Sequence, residues 1–102
     1  MKILIYSDLH NEFDCFTPPS VEVDLVILAG DIDLLNRGVK WANETFSSDV
    51  IYCSGNHEFY KGHLTRTREK MEAVAASHVH VLDNQVWTSN NVRFLVATCW
   101  TD

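Results

Sequence analysis

Basic side chains are scarce: eight Lys and Arg stand against fourteen Asp and Glu, a net charge of −6 with His neutral. That balance argues against the broad cationic face that duplex nucleic acid requires, and it disfavours anionic substrates unless bound cations intervene. Long apolar runs are also missing. None approaches the roughly 20 residues of a membrane span, and Met1-Lys2-Ile3-Leu4-Ile5-Tyr6 breaks at Ser7-Asp8, too soon for a signal-peptide core. No membrane partner is expected, and the chain reads as cytoplasmic. Cysteine is sparse: Cys15, Cys53 and Cys99 are odd in number and widely spaced, which argues against a disulfide framework and predicts reduced, mostly buried thiols. Both prolines fall together at Pro18-Pro19 and mark one loop; no repeat, low-complexity tract or linker divides the chain. What is present is one modest domain: 102 residues, 46% hydrophobic, enough to bury about two thirds of the unfolded surface in a single core.

Three short apolar runs share one grammar. Ile3-Leu4-Ile5-Tyr6 ends at a polar cluster, Leu25-Val26-Ile27-Leu28-Ala29 stops at Gly30-Asp31, and Val50-Ile51-Tyr52-Cys53 stops at Ser54-Gly55-Asn56. Continuous runs rich in β-branched residues are strands buried on both faces. Between the second and third, Leu35, Val39, Ala42 and Phe46 recur at three- and four-residue steps and predict a helix over about 35–47. A second helix is expected over about 60–77, with Leu64, Met71, Val74 and Ala75 on one face and Arg66, Arg68, Glu69 and Lys70 on its flank. Strand-helix-strand-helix is the pattern of a parallel sheet with right-handed crossovers. Val79 to Leu82 then extends that sheet, and Val86 to Thr88 and Val92 to Thr98 form a short antiparallel hairpin. The fold class is α/β.

Each of the three apolar strands ends in candidate metal ligands: Asp8-Leu9-His10, Gly30-Asp31 and Gly55-Asn56-His57-Glu58. In an open parallel sheet, ligands bind outside the carboxyl ends of the strands, so the three clusters converge on one edge. Carboxylate, imidazole and amide oxygen together suit Mn²⁺, iron (Fe²⁺/Fe³⁺) or Zn²⁺. Glycines before Asp31 and Asn56 allow the sharp turn that aims a side chain back over the strand end.

This ordered set resembles the calcineurin-like metallophosphoesterases, whose pattern is Asp-x-His, Gly-Asp, Gly-Asn-His-Glu/Asp, each element following a strand. The resemblance implies the N-terminal half of a four-layer αββα sandwich and a phosphate-ester substrate, monoester or diester. It implies that Asp8 and His10 bind one divalent ion, that Asp31 bridges two, and that Asn56 binds the second through its amide oxygen. His57 would stand beside the scissile bond and donate a proton to the leaving oxygen, a task suited to imidazole near neutral pH. Two such ions, about 3.5–4 Å apart, activate water for in-line attack on phosphorus. They would bring +4 against the −2 of Asp8 and Asp31, so a loaded site attracts phosphate although the chain is acidic. The family pattern continues with a further His and a Gly-His-x-His motif that these 102 residues do not contain. The alternative is therefore a metal-binding half-domain with impaired catalysis that acts by association.

Other candidates carry blander readings. Glu58 is expected as a support to the site or a helix-start charge, and Arg37 as a weak phosphate contact or a solvated helix-start residue. His78-Val79-His80 sits at the start of a strand, the wrong end for a ligand, and His63 reads as a surface or capping histidine. Asp31-Ile32-Asp33 imitates the nucleophilic Asp-x-Asp of haloacid-dehalogenase-type phosphatases, but it follows the second strand rather than the first. Trp41, Trp87 and Trp100 are expected as core or interface aromatics. If the second sheet is incomplete, the free face of the first and the edge near Phe94 to Thr98 would be exposed, and self-association is expected.

Overall fold

A computed structural model of the chain describes residues 1–60 and 62–99; the expectation for Trp100 lies outside the described residues. Four strands, β1 (Ile3–Tyr6), β2 (Leu25–Ala29), β3 (Asp49–Cys53) and β4 (Val79–Val81), form one parallel sheet in that spatial order. Helix α1 (Arg37–Thr45) links β2 to β3, and α2 (Leu64–Val74) links β3 to β4. Strands β5 (Gln85–Ser89) and β6 (Val92–Val96) form an antiparallel hairpin. Asn90 and Asn91 both take left-handed φ, 49° and 63°, the geometry a two-residue hairpin turn needs and Asn tolerates.

Strand register divides the apolar residues between two faces. Val26, Leu28, Val50, Tyr52 and Val79 pack with Val39 and Ala42 of α1 and Met71 of α2 into the main core. On the opposite face Leu25 and Ile51 pack with Val96, and Trp87 and Phe94 close over them. The hairpin thus lies on the sheet face expected to be bare, and the exposed apolar surface is narrower than the sequence implied. Near the end of β6, Thr98 is held by its N–H donating to Asp83 Oδ1 and its hydroxyl donating to Ser54 O.

Both helices are shorter than their apolar periodicity suggests, each for a local reason. Leu35 has φ 52°, which no right-handed helix accepts, so α1 begins at Arg37. Residues 57–59 form a separate 3₁₀ turn, and His63 is extended at φ −99°, ψ 133°, so α2 begins at Leu64. His63 caps that helix, its ring accepting from the Arg66 N–H at 3.4 Å. The buried stripe of α2 is Thr67 and Met71, one turn apart, while Leu64 is exposed. The thiols also depart from expectation. Cys15 and Cys99 lie outside the strands and are exposed; only Cys53, inside β3, is half-buried. Among the described residues no helix is long and apolar enough to cross a membrane.

Candidate metal centre

The segments that leave β1 and β2 continue side by side beyond the ends of their strands. Asp8 N–H donates to Gly30 O at 3.0 Å, His10 N–H to Asp31 O at 3.0 Å, and Asn11 N–H to Ile32 O at 2.7 Å. These rungs force an unusual backbone. Asp8, His10 and Asp31 have φ of 55°, 48° and 54°, and Gly30 has φ 90°. Left-handed geometry costs a residue with a side chain about 1–2 kcal/mol, and here it falls on three candidate ligands. The result is a cluster: ligand atoms of Asp8, His10 and Asp31 all lie within 4.8 Å of one another. His10 Nε2 is 3.8 Å from Asp8 Oδ1, too far for a hydrogen bond and a spacing that a shared cation can span.

The segment after β3 is locked onto this cluster. His57 N–H donates to Asp31 Oδ1 at 2.9 Å. A Cβ on Gly55 would overlap the Asp31 carboxylate, so only glycine lets the third loop pass so close to the candidate bridging ligand. Asn56 caps the 3₁₀ turn in right-handed geometry, and its Nδ2 donates to the Tyr60 hydroxyl at 3.4 Å.

Glu58 faces inward. Its carboxylate accepts from the backbone N–H of Gly55 at 2.7 Å, Ile32 at 2.8 Å and Asp31 at 2.9 Å, and from the Tyr52 hydroxyl at 3.0 Å. The side chain is fully buried and clasps the second and third loops together from below. Burial pushes its carboxyl above the ordinary carboxylate value, against the pull of those four donors. Burial, and then the adjacent Glu58 charge, push the Tyr52 hydroxyl well above its usual range. Arg37 lies 3.7 Å from Asp33 across one turn and is largely exposed, the solvated helix-start reading. His80 pairs with Asp49 at 3.2 Å at the amino ends of the strands, away from the cluster.

One residue of the site escaped sequence reasoning. Glu12 Oε1 lies 3.2 Å from Nδ1 of both His10 and His57, and its side chain is only 7% exposed. Burial alone would raise its carboxyl, but its own backbone N–H and the two imidazoles outweigh that and hold it below the usual carboxylate value. The signal was available: Asp8, His10 and Glu12 occupy alternate positions, so the Asp-x-His pair extends by one further step.

The family model of the calcineurin-like phosphoesterases matches residues 1–95. The chain belongs to that family. No curated protein and no solved structure gives a significant match. The phosphoesterase fold explains why the cluster stands where it does, since all its members leave the carboxyl ends of parallel strands. The large groove of about 1020 Å³ lies at the other ends, lined by Lys2, Asp24 and Ser47 among others, and holds none of the clustered residues. The donor set itself fits a divalent ion of borderline hardness: two carboxylates and one imidazole already gathered, with an amide oxygen on the adjoining loop.

Proposed function

We propose that this chain hydrolyses a phosphomonoester or phosphodiester at a dinuclear centre, with Asp8, His10 and Asp31 holding one divalent ion and Asp31 and Asn56 the second. The observation that carries the reading is the gathering of Asp8, His10 and Asp31 ligand atoms within 4.8 Å of one another, each on left-handed backbone. Mn²⁺, iron or Zn²⁺ bound there would polarise a phosphoryl oxygen and supply a water of lowered pKa. The protein's own share is positional. Asp31 is held from both sides, its backbone N–H by Glu58 and its carboxylate by the His57 N–H. His57 stacks on Tyr60 at 4.4 Å between ring centroids, and its Nε2 has no hydrogen-bond partner among the described residues, so that nitrogen is free to meet the leaving oxygen and, when the ring carries both protons, to give one to it. Arg37, exposed and 3.7 Å from Asp33, has no part in this reading.

The test is Mn²⁺-dependent hydrolysis of a chromogenic phosphomonoester and a chromogenic phosphodiester by the chain and by Asp31→Asn. Turnover that falls at least about 100-fold in the variant is the expected result. Equal background rates in both would refute the enzymatic reading; if Mn²⁺ still binds, a metal-binding module that acts by association takes its place. We also propose that the partner in such association is a second copy of the chain, through apolar surface that the hairpin leaves uncovered.

A further inference from the structure

We infer that Glu12 is the positioning residue of the centre, a single buried carboxylate that sets the tautomer and aim of both His10 and His57. The inference rests on the reading of His10 as a metal ligand and His57 as a proton donor, and it assigns a residue that lies outside the Asp-x-His, Gly-Asp and Gly-Asn-His-Glu motifs.

The geometry is specific. One oxygen, Oε1, is 3.2 Å from Nδ1 of His10 and 3.2 Å from Nδ1 of His57. The two rings stand edge to face, with centroids 4.4 Å apart and planes at 68°, so they are held as a pair rather than each finding its own rotamer. An ionised carboxylate only accepts hydrogen bonds. Both Nδ1 atoms must therefore carry hydrogen, and in the neutral rings both Nε2 atoms are left with a lone pair. For His10 that lone pair is on the Asp8 side, where Nε2 lies 3.8 Å from Asp8 Oδ1, the arrangement of a metal-bound histidine backed by a carboxylate. For His57 it leaves Nε2 as the atom that meets substrate, able to accept a proton in the neutral ring and to donate one only when both nitrogens carry hydrogen. The second oxygen, Oε2, is buried with no partner among the described residues. It keeps the carboxylate under a desolvation cost that is reduced by holding both rings. The local chain is built for the role: Phe13 N–H donates to His10 O at 3.0 Å, closing a turn that brings residue 12 back under residue 10.

The same atoms permit a competing arrangement, because His10, Glu12 and His57 also satisfy the spacing of a metal trio. An ion there would replace both Nδ1 protons, whereas a positioning carboxylate needs them. Imidazole ¹⁵N NMR separates the two. In the metal-free chain, at a pH where the ¹⁵N shifts themselves show both rings neutral, His10 and His57 should both be Nδ1–H tautomers, the minor form of free imidazole. With Zn²⁺ added, His10 should become coordinated through Nε2 and His57 should stay uncoordinated. Glu12→Ala should return both rings to the Nε2–H form and weaken Mn²⁺ binding, read by calorimetry, by about 10–100-fold. Glu12→Gln, whose amide oxygen can still accept, should fall between the two. Nε2–H tautomers in the unsubstituted chain, or coordination of Zn²⁺ through Nδ1, would overturn the inference. The metal-free measurement needs no variant to fold and no ion to bind, so a chain with the stated tautomers but no affinity for Mn²⁺ would refute the proposed function and leave the role of Glu12 standing.

Discussion

At the level of single residues, two glutamates govern the centre from outside the cluster of Asp8, His10 and Asp31. Glu58 is the clearer case. Its removal would leave the N–H groups of Gly55, Ile32 and Asp31 and the hydroxyl of Tyr52 without their acceptor, and each buried unsatisfied group costs about 1–3 kcal/mol. Relaxation and entering water recover part of this, so Glu58→Ala should lose about 3–5 kcal/mol, a large share of a small domain's stability. Glu58→Gln, which keeps one acceptor oxygen, should lose less. Urea unfolding midpoints measure the difference; a midpoint for Glu58→Ala within error of the unsubstituted chain would show that the clasp carries no load. The contrast with Asp8, His10 and Asp31 explains what could be read in advance. Those three announce themselves through sequence-local features, a strand end and an adjacent glycine or alternate spacing. Glu58 reaches a partner 27 residues away, and Glu12 reaches one 45 residues away besides its neighbour His10; alternate spacing points to Glu12, but no local pattern encodes which way either glutamate turns across the longer distance.

Among the elements, the contact between α1 and β3 is set by the buried Tyr52. A Cβ on Gly38 of α1 would overlap the Tyr52 hydroxyl, which is fixed by its hydrogen bond to Glu58. Alanine is better than glycine inside a helix by about 1 kcal/mol, yet overpacking against a pinned aromatic costs about 1–3 kcal/mol. Gly38→Ala should therefore destabilise by about 1 kcal/mol, a fall of roughly 4–8 °C in melting temperature for a domain of this size. In a Tyr52→Phe background, with the hydroxyl oxygen gone, the same substitution should cost less; additive effects in this double-mutant cycle would exclude the clash. Tyr52 also contributes to the alkaline limit of stability. Its folded pKa lies well above the free value, so the unfolded chain releases this proton first. Stability from this group is complete below about pH 10 and declines as pH rises beyond it. Tyr52→Phe should flatten that decline in unfolding free energies measured from about pH 9 to 11, while an unchanged slope would place the alkaline sensitivity elsewhere. Strands β1 to β3 were legible because each is an unbroken apolar run with a polar stop. The helix ends were not, because Leu35 is left-handed and donates its N–H to Glu58 O, a demand of the site rather than of helix propensity.

For the whole molecule, the decisive quantity is how much of the sheet the hairpin covers. Strand register places Ile3 beside Leu25 and Ile5 beside Ile27 on the hairpin side of the sheet. The hairpin buries Leu25 and Ile51 but does not reach β1, where Ile5 remains 63% exposed. On the outer side of the hairpin, Val86 and Leu95 are cross-strand partners, and Leu95 is 79% exposed. Adjacent exposed branched residues on an edge strand and on a two-stranded hairpin are surfaces that pair with their like. A second copy is the matching occupant because it presents the same uncharged patches, which must outweigh the repulsion of a net charge of −6 on each chain. Light scattering at tens of micromolar (~10⁻⁵ M, a concentration at which weak interfaces form) should give a mass above that of one chain. Ile5→Lys and Leu95→Lys should each shift the population toward monomer while changing the unfolding midpoint little, because exposed positions outside tight contacts usually alter stability by no more than about 0.5 kcal/mol. A monomer for the unsubstituted chain at that concentration would mean that the uncovered apolar surface is too small and too divided to hold two copies together.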